Sequence, residues 1–192
     1  QADRLSAQPK YGLNAFSRPV LGAWSQLGAG EFNAALKTLE DLDEKAAAQG
    51  LHDMHKALIL DFAGRKKDAE AAYTKLVKNK ETRNFRLIQL YGNFLERIGK
   101  TAEARALYDQ FARANPGTML LLPAYARLRS GNKPKPLIAS IADGAAEALF
   151  NIGNSLGEQR ARETAVVLCR LALWLKPNFP IAQMMIADIF DG

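Results

Sequence analysis

Apolar and small residues recur in phase along the chain, in stretches that predict pairs of helices. Gly30, Gly64 and Gly99 each follow one helical stretch and precede another, at intervals of 34 and 35 residues. An alanine stands five residues after each of these glycines, namely Ala35, Ala69 and Ala104. A regular period of this length indicates a helical repeat, in which stacked neighbours bury a continuous core.

A fourth copy of the pattern, "IGNSLGEQRARETAVVLCRLALWLKP", has Gly153 where Gly92 stands in the third copy, and Ala165 where Ala104 stands. An interior helical glycine costs about 1 kcal/mol relative to alanine, so its recurrence in register predicts that two helices approach closely there. We expect Gly92 to face Ala104 where the two helices of the third repeat cross.

The register of these residues resembles the tetratricopeptide repeat (TPR), which pairs a helix A carrying one small residue with a helix B that begins after a turn. In the third copy the matching positions hold Gly92, Leu95, Ala104, Tyr108 and Pro116. The resemblance covers about four fifths of the chain. It implies an all-α fold, an α-α superhelix (TPR solenoid) of antiparallel helix pairs.

Two TPR blocks joined by an irregular insertion are predicted. Residues 1–131 form an N-terminal block of about three repeats plus one extra helix, and residues 146–192 form a C-terminal block. Between them, Pro134 and Pro136 in "NKPKPLIASIADG" disfavour a regular helix start, so residues 132–145 are predicted to be irregular.

The C-terminal block is predicted to hold one repeat plus helix A of a further, truncated repeat. That last stretch, "PIAQMMIADIFDG", would leave Ile186 and Phe190 without a packing partner. We therefore expect a chain cut from a longer protein, with self-association through the C-terminal helix as a consequence of its exposed apolar surface.

The composition is typical of a folded protein, since 48% of the residues are hydrophobic and 24% are charged. No apolar run approaches the roughly 18 residues that span a bilayer, so no membrane insertion is expected. The single cysteine, Cys169, excludes an internal disulfide and a zinc site built on several cysteines.

Charge is uneven along the chain, which carries a net charge of +6. Residues 65–86 hold eight Lys or Arg against three acids. Phosphate contacts from such a stretch would allow a nucleic-acid-binding helical repeat, which is the alternative function. Most of these residues fall on a predicted helix B, on the outer face of the repeats, so a solvated surface is favoured and nucleic acid is an unlikely partner.

Three fragments that could carry chemistry have simpler structural interpretations. "IGKT" at residues 98–101 copies the end of a phosphate-binding loop, but Phe94 stands where its first glycine is needed, so Thr101 is expected to cap a helix. His52 and His55 lack an evident third metal ligand, and Cys169 is expected to pack between helices. We therefore predict no enzyme activity, no cofactor and no metal.

The resemblance implies that A helices line a concave wall that binds a partner. Carried over by position, the partner-binding residues are Val20, Trp24, Leu51, Met54, His55, Leu58, Phe62, Arg86, Gln89, Asn93, Arg97, Asn151 and Asn154. This groove would grade from apolar to polar and suit an amphipathic helix or an extended peptide. An inserted segment that covers the apolar part is the alternative.

A noncatalytic protein-protein interaction scaffold is therefore the predicted function, with a protein or peptide partner in the concave groove. Of the Lys, Asn and Arg positions that bind chaperone tails in related repeats, only Arg86 is matched, which disfavours such a ligand. The stretch "GAAEALFNIGNSLGEQ" is similar to the middle of long bacterial TPR proteins that are often exported to the cell envelope. This resemblance favours a periplasmic location, with the cytoplasm as the alternative.

Overall fold

The computed structural model describes residues 13–42, 46–79, 82–158 and 161–191, and it folds these ranges into ten α-helices. The first five helices are α1 (Asn14–Gly28), α2 (Phe32–Leu39), α3 (Ala46–Phe62), α4 (Lys66–Lys78) and α5 (Phe85–Arg97). The other five are α6 (Thr101–Ala114), α7 (Leu122–Ser130), α8 (Ile141–Glu158), α9 (Arg162–Leu175) and α10 (Pro180–Asp191).

The recurring glycines lie in the turns between helices. Gly30, Gly64 and Gly99 have φ angles of 83°, 72° and 88°, in the left-handed region that glycine adopts without a steric penalty. The predicted turns between helices at these glycines are therefore confirmed. The expected cap at Thr101 is wrong, because α6 begins at Thr101 and its N-cap residue is Lys100.

Consecutive helices pack as pairs, as the repeat pattern predicts. Helix α1 packs on α2, α5 on α6, and α8 on α9, and α10 packs on α9. This all-helical arrangement of packed pairs is consistent with an α-α superhelical repeat fold, which confirms the predicted fold class.

The two interior glycines mark close helix contacts. A Cβ atom built on Gly92 would overlap the ring of Tyr108 on α6, and one built on Gly153 would lie 3.3 Å from the carbonyl oxygen of Ala165 on α9. The predicted approach of a second helix is confirmed at both glycines. At Gly92, however, the side chain that fills the space is Tyr108 rather than the expected Ala104.

Contacts divide the chain into two compact units, and α3 contributes to both. Unit 1 consists of Gln1–His55 and Ile141–Gly192, and unit 2 consists of Lys56–Ser140. In unit 1 the buried core includes Phe150 and Phe179, whose rings meet edge to face at 5.4 Å. In unit 2 the core includes Tyr73, which stacks on Tyr91 at 5.3 Å.

The predicted insertion is shorter than expected. No helix is present between Gly131 and Ser140, but α8 begins at Ile141, so residues 141–145 are helical rather than irregular. They are helical because this first part of α8 packs against α1, with Gly144 against Trp24. The division into two TPR blocks with these boundaries stays a prediction.

Candidate functional site

Within unit 1, helix α8 covers the face of α1 that was predicted to form an open apolar wall. Val20 and Trp24 have no exposed surface. Gly144 of α8 lies against the Trp24 indole so closely that a Cβ atom there would overlap the ring. The expectation of an open wall at these two residues is therefore wrong, and partner binding by them stays a prediction.

His55 forms a buried polar contact with the same tryptophan. The Trp24 Nε1–H donates to His55 Nδ1 at 3.0 Å, and the Asn151 amide lies 3.4 Å from His55 Nε2. Because Nδ1 accepts, the neutral ring carries its proton on Nε2. Burial lowers the pKa of His55 to about 3, so the ring is neutral at physiological pH. His55 is therefore part of the packed interior of unit 1.

The other predicted apolar groove residues are also largely buried. Leu51 packs against the core cluster of unit 1, and Met54 and Leu58 are 7% and 1% exposed. Phe62 is the exception, since 37% of its surface is exposed. Asn154 is half-buried on α8. Of the apolar residues of α3 that were predicted to line the groove, the exposed one therefore lies at the C-terminal end of the helix.

The predicted polar part of the groove lies on one face of α5 in unit 2. Asn93 Oδ1 accepts a hydrogen bond from Arg97 Nε at 3.0 Å, and Arg97 forms an ion pair with Asp61. Arg86 is 6% exposed and donates to Gln89. The four predicted residues of α5 thus lie in a row of polar side chains that consists of two hydrogen-bonded pairs, Arg86 with Gln89 and Arg97 with Asn93.

A residue of the insertion completes this row. The Asn93 Nδ2–H donates to the backbone carbonyl of Lys135 at 3.0 Å, and Asn93 is 3% exposed. Lys135 lies in a segment without helical structure, so its carbonyl is open to a side-chain donor. The α5 face therefore contacts a nonhelical segment of the chain itself.

Sequence reasoning missed a buried carboxylate on the same helix. Glu96 is 2% exposed, accepts from the Tyr108 hydroxyl at 2.7 Å and pairs with Arg127 of α7 at 2.9 Å. Burial, and then the hydrogen bond to Glu96, raise the pKa of Tyr108 above its usual value. The position of Glu96 inside the stretch "NFLERIG" indicates a buried acid that needs a partner. Nothing in the sequence identifies this partner as Arg127.

Residues 85–128 match the family model of the tetratricopeptide repeat. This match and the helical fold fit a tetratricopeptide repeat protein. The matched residues extend from α5 into α7 and include the predicted Gly92, Ala104 and Tyr108. No curated protein and no solved structure matches the chain significantly. Tetratricopeptide repeats typically serve as noncatalytic scaffolds for protein-protein interaction, as the sequence predicts.

The basic stretch is only partly an exposed cationic surface. Arg86 is buried, Arg65 pairs with Asp68 at 3.0 Å, and Lys100 of the next turn pairs with Glu70. The exposed lysines of this stretch are Lys66, Lys67, Lys75 and Lys78. Lys80 and Glu81 lie outside the described residues. Nucleic-acid binding stays an untested alternative.

The remaining candidate groups show no reactive arrangement in the described ranges. Cys169 is fully buried, burial raises the pKa of its thiol to about 11, and its Sγ lies 3.5 Å from Met185 Sδ. This environment keeps the thiol protonated and inert. Among the residues with a described placement, no group of three or more His, Cys, Asp or Glu could hold a metal ion. None of the described helices is both long and apolar enough to cross a bilayer.

Proposed function

We propose that this TPR protein is a noncatalytic scaffold that binds an extended peptide of a partner protein along α5. The repeat match supports a protein-interaction role in general. The finer proposal rests on one observation, the hydrogen bond from Asn93 to the Lys135 carbonyl. A side-chain amide that is held on a helix face and donates to a backbone carbonyl is suited to any extended peptide, whatever its side chains.

An extended ligand fits this face better than a helical one. The interior carbonyls of a helix already accept hydrogen bonds from their own helix, whereas each residue of an extended segment offers a carbonyl. Asn93 is held in a fixed orientation because its Oδ1 accepts from Arg97, which in turn pairs with Asp61. This support reduces the entropy lost when a ligand binds.

The apolar side chain of Phe62 offers a second contact for a ligand. Phe62 follows Asp61, the ion-pair partner of Arg97, and its ring is 37% exposed. A peptide bound at Asn93 would therefore need an apolar residue to cover Phe62. The chain's own segment at Lys135 must leave Asn93 before such a peptide binds, so the two compete for one donor.

A peptide added in trans tests this proposal. Replacing residues 132–136 with a Gly/Ser linker of equal length weakens the competitor, because it removes the two prolines that restrict this segment and so raises the entropy lost when its carbonyl is held at Asn93. The replacement leaves the buried Ile138 in place. The probe is a fluorescently labelled synthetic peptide with the sequence of residues 130–138. We expect it to bind the linker variant at least tenfold more tightly than the unaltered chain.

Asn93→Ala in the linker variant provides the decisive comparison. We expect this substitution to weaken peptide binding about tenfold, since it removes a hydrogen bond worth about 1 kcal/mol or more from a buried site. Gln110→Ala, at an exposed position of α6, is the matched control and should change nothing. Equal binding by the Asn93→Ala and Gln110→Ala chains would overturn the proposal.

A further inference from the structure

A cleft at one end of unit 2 is separate from the Asn93 row. It has a volume of about 880 Å³ and lies where α5 begins and α6 ends. Its lining includes Arg83, Asn84, Phe85, Phe111, Thr118 and Leu120. None of the residues of the Asn93 row lines it, so a ligand here would leave that row unoccupied.

Two aromatic rings form the main apolar part of the cleft wall. The rings of Phe85 and Phe111 lie 6.1 Å apart, and both side chains are only half-buried. Leu120 is 41% exposed at the rim, and Met119 beside it is 71% exposed. Apolar side chains clustered around a concavity are typical of a surface that receives an apolar side chain from a partner.

The charge around the cleft is positive. Arg83 is the single charged residue among those described as lining it. Arg113, which is exposed, stands in the last turn of α6. The last turn of α6 contributes to the cleft wall, so Arg113 lies close to it. An approaching carboxylate would be attracted and a second copy of this basic end repelled.

We infer that this cleft is a docking site for an acidic segment of a partner protein that inserts an apolar side chain between Phe85, Phe111 and Leu120. The carboxylates of the segment pair with Arg83 and its basic surroundings. A nucleic acid is a poorer fit, because the lining includes apolar side chains and a single cationic residue. The inference goes beyond the proposed function, because it concerns a different surface and a charged ligand.

Binding of three fluorescently labelled hexapeptides to the full chain tests whether the cleft prefers an acidic, apolar ligand. Fluorescence anisotropy measures this binding. The first has the sequence Asp-Glu-Leu-Phe-Glu-Asp, the second replaces its acids with lysine, and the third replaces Leu-Phe with Ser-Ser. We expect the acidic apolar peptide to bind at least tenfold more tightly than either of the others. Its affinity should fall as salt is raised from about 0.05 M to 0.5 M, since salt screens ion pairs in an open surface cleft.

Paired variants locate the binding. Arg83→Gln and Leu120→Ser should each weaken binding of the acidic peptide at least fivefold. Arg129→Gln and Leu122→Ser are the matched controls, because both residues are exposed in unit 2 and neither lines the cleft. Circular dichroism confirms that each variant keeps its helices. Asn93→Ala should leave binding unchanged, which separates this site from the proposed peptide face.

Three outcomes would overturn the inference. The first is equal binding of the acidic, basic and serine peptides. The second is equal loss of binding in the Leu120→Ser and Leu122→Ser chains, which would indicate nonspecific apolar binding by the loop. The third is tighter binding of a ten-nucleotide single-stranded DNA than of the acidic peptide, with the same loss in Arg83→Gln, which would assign the cleft to nucleic acid.

Discussion

Individual glycine residues determine where the helices of this protein pack closely together. At Gly92 the missing Cβ leaves space for the Tyr108 ring, whose hydroxyl reaches Glu96 on the same helix as Gly92. One glycine thus permits both an aromatic contact and a buried hydrogen bond. Tyr108 is 1% exposed, so its ring has no free space into which to move.

Replacing Gly92 with alanine should destabilise unit 2. Alanine favours a helix by about 1 kcal/mol over glycine, but overlap with Tyr108 should cost more, leaving a net loss of about 1 to 3 kcal/mol in unfolding free energy. Urea titration followed by circular dichroism measures it. Truncating the ring with Tyr108→Ala should make Gly92→Ala neutral or favourable. Equal effects of Gly92→Ala in both backgrounds would disprove the contact.

The buried His55 predicts a pH dependence of stability. Its folded pKa is about 3, below the value of about 6.5 in an unfolded chain, so the unfolded state binds more protons between these values. This contribution is complete above pH 6.5 and is lost as the pH falls toward 3. We expect unfolding free energy to drop by about 1 to 2 kcal/mol between pH 7 and pH 5.

We expect His55→Gln, which keeps an acceptor for the Trp24 Nε1–H, to remove the part of the decrease in unfolding free energy that comes from His55. Urea titrations at pH 7 and pH 5 measure this decrease. His52→Gln is the matched control on the same helix, because His52 is half-buried and not part of the Trp24 contact. If both glutamine variants keep the full pH dependence, proton uptake by His55 is not its cause.

Helices, rather than residues, decide which predicted binding faces are accessible. Helix α8 packs on α1 within unit 1, where the repeat pattern predicts an open wall. Gly144 makes this possible by letting α8 approach the Trp24 ring. The same crossing includes Gly28 of α1, where an added Cβ atom would lie 3.2 Å from the Ile141 side chain.

Gly144→Ala should weaken the packing of α8 on α1. The new methyl group would overlap the buried indole of Trp24, with an expected cost of about 1 to 3 kcal/mol. Trp174 is 80% exposed and is the second tryptophan of the sequence, so a Trp174→Phe background leaves Trp24 as the single tryptophan. We expect its emission to shift to the red at lower urea concentration in Gly144→Ala.

Gly28→Ala is the matched control at the same helix crossing. Its methyl group would meet the flexible Ile141 side chain, which can move by a few tenths of an ångström. We therefore expect a change below about 1 kcal/mol. A Gly28→Ala chain as unstable as Gly144→Ala would show that the crossing tolerates no added atom, and that the Trp24 contact is not special.

At the scale of the whole molecule, exposed apolar side chains are concentrated on the last two helices. Val167, Leu171 and Trp174 of α9 are 55%, 47% and 80% exposed. On α10, Met184 and Phe190 are 45% and 67% exposed. Single exposed apolar residues are ordinary, but a group on adjacent helices favours association.

We expect this surface to support self-association at high concentration. Light scattering over a series from micromolar to millimolar protein should show a rising apparent mass, and Phe190→Glu should reduce it by adding a charge to the apolar contact. Met119→Glu, at an equally exposed site in unit 2, is the control and should leave the rise in apparent mass unchanged. A monomer at every concentration, with and without Phe190→Glu, would contradict the expectation.

The sequence by itself determined the repeated helix pairs, the turn glycines and the polar row on α5. These features depend on contacts between residues close in the chain, such as Gly153 with Ala165, and such contacts leave a periodic pattern. Only the tertiary structure decided that α8 covers Trp24 and that Lys135 occupies Asn93. Both contacts join residues that are far apart in the chain, and a single glycine or carbonyl carries no signal of which distant surface it meets.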